Sequence, residues 1–152
     1  MSERSDQPAA QTLRAITPTG DPLGRISIPR LRASFVFVQG TDSAALRGGP
    51  GHYMPTALPG EHGTVGLAGH RTTYLQPFRH IDRLRAGDRI TLTMPYGRFS
   101  YVVSGSRVVA PSELSVLART PGVDRLVLTA CHPLFSAAQR LVVTARLAST
   151  SA

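Results

Sequence analysis

Hydrophobic and polar residues alternate along several short stretches of the chain, and glycine or proline separates one stretch from the next. The segment "PLGRISIPRLRASFVFVQG", residues 22–40, alternates on both sides of Pro29, which predicts two strands. Residues 89–94, "RITLTM", and residues 98–110, "RFSYVVSGSRVVA", show the same period on either side of a turn at residues 95–97. This second pair predicts a β-hairpin.

Three further apolar stretches complete the pattern. "TVGLAGH", residues 64–70, predicts a buried strand that ends at His70, and its glycines allow another backbone to come close. "DRLVLTAC", residues 124–131, and "QRLVVTARL", residues 139–147, predict two more strands, which the loop "HPLFSAA" joins. The chain therefore contains about seven or eight short strands.

Helix signals are few. "TDSAALRGG" predicts a short helix with Thr41 or Asp42 as its N-cap and Gly48 as its end, and "PSELSVLART" predicts one or two helical turns. The connection at residues 72–88 is expected to be irregular or partly helical. A closed or nearly closed barrel leaves few exposed strand edges, so we predict an all-β fold: an eight-stranded β-barrel with two or three short helices.

The beginning of the chain differs in character from the rest. Residues 1–20 are mostly polar or small and contain two prolines, which predicts a flexible N-terminal linker. Residues 21–152 are expected to form a single domain, because a chain of 152 residues is long enough to bury one continuous core.

Composition narrows the classes of partner. All 17 basic residues are arginine, and with 9 acidic residues they give a formal net charge of +8. Such a surface attracts anionic polymers, so one alternative is a non-catalytic basic β-barrel whose function is to bind such polymers. The arginines form no run and only 6% of the residues are aromatic, so we expect no nucleic-acid partner.

The apolar pattern predicts neither a membrane span nor a signal peptide in these residues. No segment reaches the ~20 apolar residues that a spanning helix needs, and the first 15 residues lack an apolar core. We therefore expect either a cytosolic protein or a part of a longer protein whose membrane anchor lies outside these residues. The single cysteine, Cys131, excludes an internal disulfide.

Cys131 admits two interpretations. Free cysteine is among the most buried residue types, which favours a structural role. Cys131 nevertheless ends one predicted strand and Arg140 opens the next, at a place where a scaffold can present reactive groups. Because Leu141, Val143 and alternate residues beyond them form the apolar face of that strand, Arg140 should point out of the barrel.

A nucleophilic thiolate needs a basic neighbour, and acyl transfer needs a donor for the oxyanion. His70 is the candidate base and Arg140 the candidate donor. His52, His62 and His80 are expected to be solvated loop residues, and His132 should face away from Cys131. No close ligand pair such as C-x2-C or H-x3-H is present, so we expect no metal site and no cofactor.

The order of motifs along the chain supports the catalytic interpretation of Cys131. "LAGHRTTYLQPFRHIDRLRAGDRITL" resembles the central part of the sortase family, in which a strand ends in Gly-His and an "L-x-x-G-D" segment enters the next strand. "LVLTACHPLFSAAQRLVV" resembles that family's T-L-x-T-C strand, with an arginine nine positions after the cysteine. The forms "G-H-R-T-T-Y" and "C-H-P-x-F-S-A-x-Q-R" are most similar to class E sortases of actinobacteria.

The resemblance, which spans residues 23–147, implies a fold, an activity and a location. It implies an eight-stranded barrel and a cysteine transpeptidase in which His70, Cys131 and Arg140 match the catalytic histidine, nucleophile and essential arginine. Its substrates would be L-A-x-T-G or L-P-x-T-G sorting signals of surface proteins, cut between Thr and Gly. Its acceptor would be an amine on a peptidoglycan precursor or a pilin. The enzyme would act at the extracellular face of the cell membrane, anchored by a segment outside this chain.

The resemblance also points to residues that would bind the substrate. The resemblance makes Tyr74, Thr129 and Ala130 the candidate substrate-binding residues. Ala130 and Val127 stand where the family usually has threonine, which leaves the rate and the substrate preference open. Glu61 stands nearly alone near the active strands, so we expect no dependence on calcium.

A second family of wall acyltransferases is the alternative among enzymes. "GEHGTVG", residues 60–66, resembles the H-G-T segment of L,D-transpeptidases. Their nucleophile segment, S-H-G-C-x-R, is absent, and Arg140 lies nine residues after the cysteine instead of two.

Overall fold

Eight strands in the described part of the chain close into one barrel. The structure is a computed structural model, and it describes residues 6–132 and 136–152. The strands are β1 (Pro22–Ile28), β2 (Ala33–Gln39), β3 (Gly51–His52), β4 (Thr64–Ala68), β5 (Arg89–Met94), β6 (Gly97–Val109), β7 (Arg125–His132) and β8 (Gln139–Ser151). Two α-helices, α1 (Gln7–Ile16) and α2 (Ser43–Arg47), and 3-10 helices at Pro29–Leu31, Ile81–Arg83 and Leu114–Leu117 complete the described elements. The predicted all-β barrel is confirmed.

The order of the strands around the barrel is β1-β2-β3-β4-β7-β8-β6-β5, and β5 closes back onto β1. Neighbouring strands are antiparallel except for two pairs, β2 with β3 and β4 with β7. Because β4 and β7 run parallel, their C-terminal ends meet at the same edge of the barrel. That edge holds the residues just after Ala68 and those around Cys131.

The barrel interior follows the alternation predicted for the last strand. Leu141, Val143 and Ala145 of β8 belong to the main core cluster, whereas Val142 packs on the outside with Val127 and Val116. The 3-10 helix at Leu114–Leu117 lies where the sequence predicts helical turns, and it carries Val116. Arg140 therefore lies on the outer face of the sheet, as predicted.

The remaining local predictions agree with the structure in most places. β5 and β6 form the predicted hairpin, and α2 begins after Asp42, whose carboxylate accepts a bond from the Ala45 N–H at 2.7 Å. β4 ends at Ala68, two residues before the predicted end at His70. Of the predicted loop between β7 and β8, residues 133–135 lie outside the described residues.

The expected flexible linker is wrong for residues 7–16, which form α1. Pro8 lies in the first turn, where a helix tolerates proline because that N–H has no partner within the helix. Ala10 is fully buried, and Arg14 donates to the backbone oxygens of Met54 and Thr56 at 2.7 Å and pairs with Glu61 at 2.6 Å. These contacts join residues about forty positions apart, so the local composition could not indicate them.

His52 is the second correction, because it is a buried residue of β3 and not a solvated loop residue. Its Nδ1 lies 2.7 Å from Oε1 of Gln39, and its Nε2 lies 2.9 Å from the carbonyl oxygen of Ala57. Burial lowers the pKa of His52 to about 4, so the imidazole is neutral at pH 7. His62 and His80 are exposed, as predicted.

Candidate active site

Cys131 and Arg140 lie directly opposite each other on the antiparallel strands β7 and β8. Their neighbours Ala130 and Leu141 face each other in the barrel core, so the alternation of the strands turns Cys131 and Arg140 to the outer face. Cys131 is half-buried and carries a free thiol. It is therefore not sealed in the barrel core.

The backbone beyond β4 brings His70 to the same edge of the barrel. Ala68 pairs with Thr129, and the Gly69 N–H continues the ladder by donating to the Thr129 carbonyl oxygen at 3.1 Å. The carbonyl of His70 then accepts a bond from the Phe78 N–H at 3.0 Å. His70 is thus held between the end of β7 and the loop that follows β4.

Gly69 is required by the close approach of Phe78. A Cβ at position 69 would lie 2.6 Å from the ring of Phe78, which is fully buried. The backbone can pass this ring only without a side chain, and it does so one residue before His70.

His70, Cys131 and Arg140 line one groove, with a volume of about 290 Å³. A second hollow, of about 230 Å³, shares His70 and Cys131 and extends along residues 71–73 toward Ser136 and Ala137. The first groove is also bordered by residues from the loop before α2, from α2, from the loop after β3, from the end of β4 and from β7: Thr41, Leu46, Tyr53, Ala68, Gly69, Thr129 and Ala130. The structure thus brings together all three residues that the sequence predicts to be reactive, with a hollow on each side of the thiol.

The guanidinium of Arg140 is held by the backbone that precedes it. Its Nη1 donates to the carbonyl oxygens of Ala137 and Gln139, both at 2.9 Å. A guanidinium has five N–H donors in a fixed plane, and Nη2 and Nε carry three of them. Arg140 can therefore donate to a ligand in the groove while Nη1 keeps its position.

Tyr53 is a groove residue that sequence reasoning missed. Its hydroxyl lies 2.7 Å from Oγ1 of Thr129, two residues before the nucleophile candidate on the same face of β7. The two residues are 76 positions apart, and Tyr53 stands in a loop rich in glycine and proline, so no local pattern connects them. Thr129, a predicted substrate-binding residue, lines the groove together with this tyrosine.

Tyr74 lies beside His70, with ring centroids 5.3 Å apart. The guanidinium of Arg47 in α2 lies 5.7 Å from the centre of the Tyr74 ring. Half of Tyr74 is exposed, and the backbone is left-handed at three successive residues, Tyr74, Leu75 and Gln76. A side chain at this position can contact a ligand that approaches the imidazole.

Ala130 differs from the other two predicted substrate-binding residues. It is 4% exposed and belongs to the core cluster, although it also borders the groove. A threonine hydroxyl at this position would therefore project from the inward face of β7.

Other titratable side chains have partners of their own. His62 lies 3.1 Å from a carboxylate oxygen of Asp124. Burial alone would raise the pKa of Glu61, but hydrogen bonds from Arg14 and from the Leu58 N–H outweigh it and lower that pKa. Within residues 6–132 and 136–152, no three histidine, cysteine or carboxylate side chains are grouped as metal ligands.

None of the helices in the described residues has the length and apolar character that a membrane span requires.

Comparison with known proteins places the chain in a family. The family described as "Sortase domain" matches residues 26–148. Sortase D of Bacillus subtilis is 35% identical over 115 residues, and Sortase SrtE1 of Streptomyces coelicolor is 34% identical over 143 residues. The matches cover 76% and 84% of this chain, and they span 57% and 41% of the two relatives.

A solved structure supports the same assignment. Sortase E from Streptomyces avermitilis superposes with a TM-score of 0.80 at 35% identity, over 88% of this chain and 92% of that one. Both the Streptomyces proteins are of the E type that the sequence motifs resemble. Because the family match extends over most of the barrel and includes His70, Cys131 and Arg140, the chain belongs to the sortase family.

Proposed function

We propose that this chain is a cysteine transpeptidase that cleaves a C-terminal sorting signal and transfers the shortened protein to an amine. The observation that carries the proposal is the position of Cys131 opposite Arg140, in one groove with His70. The signal is of the L-A-x-T-G or L-P-x-T-G type and is cut between Thr and Gly.

In the first step His70 accepts the thiol proton of Cys131, and the resulting thiolate attacks the carbonyl carbon of the signal's threonine. The new S–C bond moves an electron pair onto the carbonyl oxygen, and the N–H donors of Arg140 stabilise that oxyanion. The intermediate collapses as the bond to the glycine nitrogen breaks, and His70 donates a proton to the leaving amine. A thioester on Cys131 results.

In the second step an amine attacks the thioester carbonyl. His70 accepts the proton of the incoming amine, and Arg140 stabilises the second oxyanion. The C–S bond then breaks and the thiolate leaves, so the enzyme is regenerated and the product is a new amide. The amine belongs to a peptidoglycan precursor or to a pilin.

Residues in the groove and beside it would hold the signal. Tyr74 stands beside His70 and Thr129 lies on the same face of β7 as Cys131, so both are proposed to contact the peptide. Ala130 contributes to the wall of the groove. The substrates are secreted surface proteins, and we propose that the enzyme acts on them at the extracellular face of the cell membrane, held there by an anchor of the kind typical of the family.

A peptide assay tests this proposal. Incubation with L-A-x-T-G and, in parallel, L-P-x-T-G peptides should produce an acyl adduct on Cys131 that mass spectrometry localises. Addition of an amine should release the adduct as a transpeptidation product. Cys131→Ala should abolish both. Absence of any adduct on the wild-type protein, together with unchanged cleavage by Cys131→Ala, would contradict the proposal.

A further inference from the structure

Arg71 is a buried arginine immediately after His70. Only 5% of it is exposed, although arginine is among the residues that proteins rarely bury without a partner. A buried guanidinium is costly unless hydrogen bonds and charges satisfy it.

All three nitrogens of this guanidinium have partners, and the partners come from three parts of the chain. Nη1 donates to the backbone carbonyl of Cys131 at 3.1 Å, and Nε donates to the carbonyl of Arg79 at 3.3 Å. Nη2 lies 3.2 Å from a carboxylate oxygen of Asp82, in the 3-10 helix at Ile81–Arg83. One side chain thus connects the nucleophile's own peptide group to both ends of the loop at residues 71–79.

The bond to Cys131 takes the place of a rung in the parallel ladder. The last backbone rung between β4 and β7 runs from the Gly69 N–H to the Thr129 carbonyl. In a parallel ladder the next donation from this segment to a carbonyl of β7 would come two residues later, from the Arg71 N–H to the Cys131 carbonyl. At that point the Arg71 side chain donates to the Cys131 carbonyl, so the connection between the two segments continues beyond the end of β4.

This connection joins the two residues that exchange a proton in the proposed mechanism. His70 is attached to Arg71 along the chain, and Cys131 is attached to Arg71 through its carbonyl. The distance between imidazole and thiol therefore depends on the guanidinium. A misplacement of reacting groups by about 1 Å can reduce a rate by about 100-fold.

We propose that Arg71 is a positioning residue, whose guanidinium sets the placement of His70 relative to Cys131 by binding the Cys131 carbonyl and closing the loop at residues 71–79. The inference rests on the proposed function, because it assigns Arg71 to the same thiol and imidazole. It does not require Arg71 to contact the substrate.

Two variants and a control test the role. Arg71→Met keeps the length of the side chain and removes every donor, whereas Arg71→Lys keeps the buried charge and loses the planar set of donors. Arg83→Met is the matched control, since Arg83 is exposed on the 3-10 helix that carries Asp82. Both Arg71 variants should lower kcat for the peptide by at least about tenfold and change KM by less than about threefold, because positioning acts on the chemical step. Arg83→Met should match the wild type.

The result that overturns the proposal is a folded Arg71 variant with the kcat of Arg83→Met, whatever its melting temperature, because a merely structural role would lower stability alone. If Arg71→Met does not fold, the same comparison is made with Arg71→Lys: a kcat equal to that of Arg83→Met overturns the proposal, and a lower kcat supports it. Alkylation of Cys131 by iodoacetamide needs no peptide, and it should be slower in the Arg71 variants because His70 no longer lies where it accepts the thiol proton. If the wild type turns over neither peptide, the proposed function fails, and an unchanged alkylation rate in the variants would then overturn the positioning role by itself.

Discussion

At the scale of single residues, the groove combines one candidate catalytic pair with polar side chains that form its wall. Arg140 and Cys131 face each other across two strands, and Thr129 and Tyr53 share a hydrogen bond beside them. The first pair is expected to affect the rate of the reaction, and the second is expected to affect the stability of the wall. Separate measurements can distinguish the two effects.

Replacing Arg140 by lysine should reduce kcat by about 100-fold to 1000-fold, the range found when one oxyanion donor is removed. Lysine keeps the charge but lacks the planar guanidinium. In Arg140 that group binds the Ala137 and Gln139 carbonyls through Nη1 and keeps its other N–H donors for the groove. Steady-state kinetics with the sorting peptide measures this change. Arg146→Lys is the matched control, because Arg146 is exposed on the same face of β8. Equal kcat values for the two variants would contradict the role of Arg140.

The hydroxyl pair of Tyr53 and Thr129 should contribute about 1 kcal/mol to the free energy of unfolding, the usual net value for a neutral hydrogen bond. Tyr53→Phe and Thr129→Val each remove one hydroxyl at nearly constant volume. A double-mutant cycle by urea denaturation should therefore give a coupling of about 0.5 to 1.5 kcal/mol between the two positions. Strictly additive effects would show that the 2.7 Å contact does not stabilise the fold.

At the scale of secondary-structure elements, the end of β4 determines where His70 lies. The strand follows β7 as far as Gly69, and the backbone then turns past the buried ring of Phe78. The parallel pairing of β4 and β7 places this turn next to Cys131. The site therefore depends on a backbone passage that tolerates no side chain.

Gly69→Ala should lower both stability and activity. The added methyl group would lie 2.6 Å from the Phe78 ring, so the ring or the backbone before His70 must move. Overpacking of this kind costs about 1 to 3 kcal/mol in a well-packed core. Thermal unfolding and peptide turnover measure the two effects. The control is Gly105→Ala in β6, where an added Cβ meets no atom within 4 Å. A Gly69→Ala protein that matches this control in both measurements would refute the packing argument.

The elements that the sequence predicts correctly are those whose signal is local. The alternation along residues 139–147 predicts both the interior face of β8 and the outward direction of Arg140, because each depends only on the period of a strand. The packing of α1 against the barrel is different, because it depends on the contacts of Arg14 with Met54, Thr56 and Glu61, which lie far along the chain. The same holds for the Tyr53–Thr129 pair and for the burial of His52. Long-range contacts of single polar side chains leave no period in a sequence.

At the scale of the whole molecule, a buried polar cluster connects β2, β3 and β4 on the side of the barrel that carries the groove. His52 is its centre, in contact with Gln39 on one ring nitrogen and with Ala57 and Thr56 on the other. The Thr56 hydroxyl also accepts a bond from the Gly66 N–H in β4 at 3.0 Å. Burial penalises the positive charge that protonation of His52 would place in this cluster, so the stability of the barrel should depend on pH.

His52 should make the protein less stable as the pH falls from about 6.5 to about 4. The pKa of His52 is lowered from 6.5 to about 4 in the folded protein, so between these values the unfolded chain binds the proton and the folded one does not. The stabilisation is fully present above pH 6.5 and amounts to about 3 kcal/mol at most, at 1.36 kcal/mol per unit of pKa difference. Glu61, whose pKa is also lowered, adds a loss of the same sign at still lower pH.

Urea denaturation of the wild type and of His52→Gln at a series of pH values measures the effect: the variant should be less stable at pH 7 and should have a flatter profile between pH 6.5 and 4. His80→Gln, which alters an exposed histidine, should keep the wild-type slope, and parallel profiles for the wild type and His52→Gln would show that the buried imidazole does not cause the dependence.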